Sequence, residues 1–420
     1  MNLPAGLRAL RHRNFRLFFV GQGCSQIGFW LQFIATSWLV YKLSGSTLLL
    51  GVAAFALQIP FLVMTPLAGV IIDRADPRRI LMVTNSIAAL QAATMFLLVR
   101  FGHVQPWHLV AANLVLGLVN ACDAPARQSI LIRLVGGKSD LPNAIALNSI
   151  MMNGARFIGP VAAGTLIAAF GERWGFGLNV FTYLGMVFAL SRMRLAPTAQ
   201  RGAEAGLLAQ LAAGARYAYG FLPSRCALLL LTATSLSVNS YAALMPWFAR
   251  EAFGGDSGVL GLMLSAAGFG AVSGMVYLAS RPGIRGLFRI IGWTATLAGA
   301  ALIVFALSPT LWLALPSVYF VGMGLMLTAA STNTVLQSIV PDELRGRVAS
   351  LYVMSFLGMT PLGAFTAGWA AEHIGPPVTL AICGALALVA AAVYASKLPA
   401  IRKEIRPVYE RLGVIDSAAH

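Results

Sequence analysis

Between Arg16 and Lys42 no charged side chain interrupts the chain, and stretches of this kind recur along almost its whole length. A spanning α-helix needs about 20 predominantly apolar residues. Runs that meet this length lie at about 15–41, 48–72, 80–100, 107–132, 142–170 and 174–194, then at 224–250, 257–280, 286–306, 311–340, 346–372 and 376–397. The first run is too long for a signal-peptide core, and no small-residue cleavage site closes it. Composition agrees. Charged residues make up 10% of the 420 and hydrophobic ones 58%, whereas soluble domains carry about 25% charged. The solvent for most of this surface is expected to be lipid. The sequence predicts an all-α polytopic membrane protein of twelve transmembrane helices in two pseudo-symmetric six-helix bundles.

The expected organisation is a first bundle at 1–194, a cytoplasmic connection at 195–223, a second bundle at 224–397 and a basic cytoplasmic tail at 398–420. A weakly amphipathic segment around Leu207, Leu208 and Leu211 lies in the connection. With the N-terminus inside, 25 of the 30 basic residues fall on cytoplasmic segments. Lys42, Arg100, Arg173 and Arg250 fall outside, and Arg156 lies within a span. That asymmetry is the positive-inside pattern. It explains the net charge of +16 without nucleic acid, and it suits anionic lipid headgroups. The halves also repeat weakly. Gln128-Ser129-Ile130 recurs as Gln337-Ser338-Ile339, and Leu147, Ala163-Gly164 and Gly171 recur 204 residues later as Leu351, Ala367-Gly368 and Gly375. Common spacing at matching positions favours a duplicated six-helix unit.

Few residues are of types that do chemistry. Cys24, Cys122, Cys226 and Cys383 stand singly in or beside apolar runs, which argues against disulfide frameworks and zinc sites. Of fourteen acidic residues, only Asp123 is placed within the bilayer, about 24 Å along its helix from Trp107. The histidines occupy loops, tails or span ends. No Ser/His/Asp set, nucleotide-binding glycine loop, ATP-binding cassette or metal cluster is visible. Hence no enzyme, cofactor or metal is expected.

The loop between the second and third runs reads Gly69-Val-Ile-Ile-Asp73-Arg74-Ala-Asp-Pro77-Arg78-Arg79. It resembles the signature loop of the major facilitator superfamily. Leu7 to Arg16, Asp123-Ala-Pro-Ala-Arg127-Gln128, Leu141 to Asn148 and Gly346-Arg347 are similar to its secretion-effector branch, which includes enterobactin exporters and macrolide efflux pumps. The likeness covers about 7–397. The corresponding loop in the second half, Ser280 to Arg285, lacks the acid. Gly159-Pro160-Val-Ala-Ala163-Gly164 is similar to the core of the superfamily's antiporter motif, with Ala163 for one glycine and Ala155 for an upstream one. Ala266, Gly270 and Gly274 of the eighth run offer a small face for it to pack on.

The resemblance implies a secondary transporter of the bacterial inner membrane that exports a siderophore-like or drug-like small molecule by alternating access, with protons as the coupling ion in antiport. A monomer in the lipid bilayer is expected. An importer or facilitator of the same fold, or a non-transporting sensor, remains the alternative. Asp73, Arg74, Arg78 and Arg79 are expected to latch the outward-facing state through Asp123 and the start of the eleventh helix, because a carboxylate is favourable at a helix N-terminus. Arg127 belongs to the same group.

Polar residues in spans are costly, so their faces are informative. Ser25, Gln32 and Thr36 share one face of the first run, Thr232, Ser235 and Asn239 one of the seventh, and Thr328, Ser331, Thr332 and Asn333 cluster in the tenth. These faces either line a central cavity or form interhelical hydrogen bonds. Ser149, Asn153, Arg156, Pro160 and Gly164 share a face of the fifth. Arg156 either locks packing through backbone carbonyls and neighbouring amides or presents positive potential to an anionic or carbonyl-rich substrate. The expected substrate cavity comprises Gln32, Thr36, Asn153, Arg156, Asn239 and Asn333.

Overall fold

The computed structural model describes residues 4–135, 140–193, 215–281 and 283–411, without the side chains of residue 5 and residues 65–74. The connection around Leu207, Leu208 and Leu211, and the last residues of the chain, lie outside the described set. So do the side chains of Gly69, Asp73 and Arg74, although their backbone is helical.

The described residues are helical and contain no strand. After a 3-10 segment, Ala5–Arg11, come α1 (Arg13–Ser44), α2 (Thr47–Arg74), α3 (Pro77–Arg100), α4 (Pro106–Leu134), α5 (Leu141–Phe170) and α6 (Arg173–Ser191). The second series is α7 (Leu222–Ala252), α8 (Ser257–Ala279), α9 (Leu287–Ala306), α10 (Leu311–Ile339), α11 (Asp342–Ile374) and α12 (Pro376–Arg411). Among the described residues, eleven helices are long and apolar enough to cross a membrane. The exception is α1. It has 32 residues, but Gln22, Gln26 and Gln32 dilute its apolar content.

The chain forms two compact units, Met1–Glu204 with Met245–Ser265, and Ala205–Leu244 with Ala266–His420. In the first, α1 packs on α5 and α6, α3 on α4 and α6, and α2 on α4. In the second, α7 packs on α11 and α12, and α9 on α10 and α12. There α8 meets α10, where Gly270 and Gly274 face Tyr319, Met323 and Leu327. Each of these second-unit pairings is one of the first unit's moved six helices along, as a duplicated unit requires.

The first and last described segments are each held by their own unit. Ala9 is fully buried beside Phe15, Phe18, Ile130 and Ala144. Its N–H donates to Asn143 Oδ1 at 2.9 Å, and Asn143 Nδ2 donates back to Gly6 O at 2.8 Å. Asp140, before α5, lies 2.8 Å from His12 Nε2 and 3.1 Å from Arg8 Nε. The His12 hydrogen bond, with Arg8 and Arg11 adding charge, holds the Asp140 carboxyl below the usual carboxylate range. At the other end, the expected tail begins as a continuation of α12. Ile401, Ile405 and Tyr409 are buried in the second unit's core, and Tyr409 Oη donates to Ile284 O at 3.4 Å. Spacing those three residues at i, i+4 and i+8 puts them on one helical face.

Candidate functional site

A cavity of about 450 Å³ opens within the first unit, lined by residues of α1 to α6. Its polar side carries Asn85 from α3, Asn120, Asp123 and Arg127 from α4, and Asn153 and Arg156 from α5. Phe29 and Trp30 of α1, Phe61 of α2 and Tyr183 of α6 supply aromatic walls. The lining holds two guanidinium groups and one carboxylate. Its formal charge is therefore positive.

Asp123 is the hub of the polar side. It is 6% exposed. Arg127 Nε, one turn along α4, donates to Oδ2 at 2.9 Å. Thr84 Oγ1 and Asn85 Nδ2 of α3 each donate to Oδ1 at 3.0 Å. A buried carboxylate needs such partners, since desolvation without them costs several kcal/mol. The second amide hydrogen of Asn85 goes to Leu81 O at 2.8 Å, so that side chain is used fully as a donor.

Of the signature-loop side chains that are described, Arg78 does not meet Asp123, whose partners are Arg127, Thr84 and Asn85. Arg78 turns instead to the C-terminus of α6, where Nε donates to Leu190 O at 2.8 Å and Nη2 to Ser191 O at 2.9 Å. A cation is favourable on those last carbonyls. The residue that sequence reasoning passed over is Asp76. It caps α3 by accepting from Arg78 N at 3.2 Å, and it receives Arg133 Nη1 of α4 at 2.9 Å. Asp followed by Pro77 at the first helical position was the available signal.

The structure brings Asp123, Arg127, Asn153 and Arg156 together around the cavity but puts Gln32 elsewhere. Gln32 Nε2 donates to Gln91 Oε1 of α3 at 2.8 Å, and Asn179 Nδ2 of α6 donates to Gln32 Oε1 at 2.7 Å. Of its two possible roles, Gln32 thus takes the interhelical one. Thr36 is buried one turn further on. In the second unit, Asn239 Nδ2 donates to Thr360 Oγ1 of α11 at 2.8 Å, and Asn333 is half-buried on α10. Asn239 therefore also makes a bond between helices.

The face shared by Asn153, Arg156, Pro160 and Gly164 divides along its length. Asn153 and Arg156 line the cavity, while Pro160 and Gly164 are buried against the start of α8. A Cβ on Gly164 would collide with Ser257 O and lie 2.9 Å from Gly261 Cα, and one on Gly261 would collide with Pro160 O. Two hydrogen bonds fix the approach. Ser257 Oγ donates to Gly164 O at 3.2 Å, and Val161 N donates to Ser265 Oγ at 2.8 Å. The antiporter-like segment therefore packs on Ser257, Gly261 and Ser265, not on the expected Ala266, Gly270 and Gly274. The neighbouring Gly159 receives the indole of Trp30, which a Cβ there would strike.

Comparison with known proteins agrees with this architecture. The family model for transmembrane secretion effectors matches residues 5–410. The staphyloferrin A transporter of Staphylococcus aureus is 25% identical over 88% of this chain and 92% of its own. The multidrug efflux pump Tap of Mycolicibacterium fortuitum is 27% identical over the same shares. The enterobactin exporter EntS of Citrobacter koseri is 24% identical over 89% of each. Among solved structures, the nucleoside transporter NupG, as a mutant, superposes with a TM-score of 0.72 at 14% identity, covering 91% of this chain and 99% of that one. A bacterial homologue of the lysosomal transporter Spinster gives 0.67 at 15% identity, covering 94% and 98%. These structures bear on the fold alone. With the family model spanning nearly the whole helical chain, the protein belongs to the transmembrane secretion effectors of the major facilitator superfamily, a family of multi-pass transporters rather than enzymes.

Proposed function

We propose that this transporter exports an anionic or carbonyl-rich small molecule, siderophore-like or drug-like, across the bacterial inner membrane by alternating access in antiport with protons. The cavity carries the reading. It combines a positive surplus from Arg127 and Arg156 with aromatic walls, which suits a ligand bearing oxygen acceptors and rings. The relatives named for siderophore and drug export support the direction. The test is accumulation of candidate compounds in deletion and overexpression cells, with and without a proton uncoupler. Export that rises with expression and collapses with uncoupler is expected. Uptake that rises with expression would make the protein an importer, and no change for any compound would favour a sensor.

The same reading assigns twelve spans, with α1 as the twelfth, in bundles at 1–194 and 224–397. The 195–223 connection and both termini are cytoplasmic, and the transporter acts as a monomer. The distribution of Lys and Arg supports this orientation. Single cysteines at Lys42, Gly136 and Asp256 are expected to label from outside, inside and outside. Outside labelling at Gly136 would overturn the topology.

Arg156 is expected to act on substrate. Arg156→Gln removes charge and fork, whereas Arg156→Lys keeps only the charge. Losing a charge-assisted bond worth about 1.5–3 kcal/mol lowers transport roughly tenfold to a hundredfold. Expression and thermal midpoint should stay near wild type in both variants. A parallel loss of expression in both would instead give Arg156 a packing role.

A further inference from the structure

Two apolar cavities of about 530 and 370 Å³ lie along the seam between α3 and α4. They share Ile87 and Val115, so they meet end to end as one groove. Arg79 stands in the lining of the first, and His108 in that of the second. Between them the walls are largely Val, Leu, Ile and Ala side chains, with Val83 58% and Leu118 44% exposed. In a spanning protein these surfaces face acyl chains.

Dimensions and charge identify the occupant. Arg79 to Ile87 is eight residues, about 12 Å along α3, close to half of a hydrocarbon core of about 30 Å. The first cavity thus matches one leaflet's tail, starting from a guanidinium at the headgroup level. A tail gains little by leaving lipid for an equally apolar groove, so selectivity must come from the headgroup. Arg79 is exposed, and a guanidinium binds phosphate oxygens in a bidentate fork. Basic positions at groove mouths between spanning helices suit anionic headgroups.

We propose that the α3–α4 groove is a binding site for one anionic phospholipid, with its phosphate on Arg79 and one acyl chain lying along Val83 and Leu118 towards Ile87. The inference is independent of the transported substrate. It also bears on the polar cavity. Val119 lines both the groove and that cavity, and Thr84, in the groove wall, donates to Asp123. A tail in the groove buttresses the α3–α4 seam from which the Asp123 hub is built.

Native mass spectrometry of the full-length protein, delipidated in detergent and titrated with phosphatidylglycerol or phosphatidylcholine, tests the site. Wild type is expected to retain phosphatidylglycerol several-fold better, with a matching rise in thermal midpoint. Arg79→Gln should lose that preference, and Arg79→Lys should keep part of it as a point charge. Val83→Trp, on an exposed position, should fill the groove and reduce retention of both lipids. An unchanged lipid ratio in Arg79→Gln, or undiminished retention in Val83→Trp, would overturn the proposal. If Arg79→Gln does not fold, Arg79→Lys and Val83→Trp decide it by the same readout.

Discussion

Asp123→Ala is expected to destabilise the protein by about 3 kcal/mol, the lower end for breaking a buried ion pair. The lower end applies because Arg127 keeps 21% of its side chain exposed and the cavity admits water to it. Arg127 Nε and one Asn85 Nδ2 hydrogen lose their acceptor at once, while the Thr84 hydroxyl can still donate to Leu81 O at 3.1 Å. The double variant Asp123→Ala with Arg127→Ala should recover part of the loss, because the orphaned cation goes with its partner. Thermal unfolding of purified single and double variants measures the coupling. Simple additivity of the two losses would mean that the pair contributes nothing to stability.

Gly164→Leu is expected to reduce transport more than any single change in the polar lining. The colliding atoms are backbone, Ser257 O and Gly261 Cα, so no rotamer relieves the clash. Overpacking of this kind costs roughly 1–3 kcal/mol or more. It also pulls apart the bonds from Ser257 Oγ to Gly164 O and from Val161 N to Ser265 Oγ. A conformation that cannot form removes a step from an alternating cycle, whatever its substrate. Two measurements are paired: cellular export, and disulfide crosslinking of Val161→Cys with Ser265→Cys. Efficient crosslinking in the parent and its loss in Gly164→Leu are expected, together with lost export. Undiminished export in Gly164→Leu would show that the close approach is not needed in the cycle.

Much of the helical framework was legible because lipid imposes a length on apolar runs. The end of the second run at 72 and the start of the third at 80 bracket the observed junction between Arg74 and Pro77. Position along a helix carried further than direction around it. Gln32 and Ser25 are seven residues apart and share a helical face, yet Ser25 lines the cavity while Gln32 bonds to α3 and α6. The spacing names a face but not the neighbour that meets it. The Asp123 hub was hidden for a related reason. Its relation to Arg127 was visible as i, i+4, but Thr84 and Asn85 come from α3, nearly forty residues away in sequence. The π-helical turns at Phe248–Ala252 and Met354–Gly358 had no signal in hydrophobic periodicity, since one extra residue per turn shifts the pattern only slightly.

The amide chain from Gln91 through Gln32 to Asn179 also bears on how the protein is made. Among the described residues, α1 falls short of the apolar content that the eleven other long helices reach, and it precedes α3 and α6 in the chain. A carboxamide in hydrocarbon is costly until it finds a partner. Both partners of Gln32 are synthesised later, on α3 and α6. Gly28, where any Cβ would strike Asn179 and Thr182, leaves the opening through which α6 must dock. The amide of Gln32 on α1 therefore completes its bonding only when α6 arrives, so docking of the sixth helix is what finishes the first.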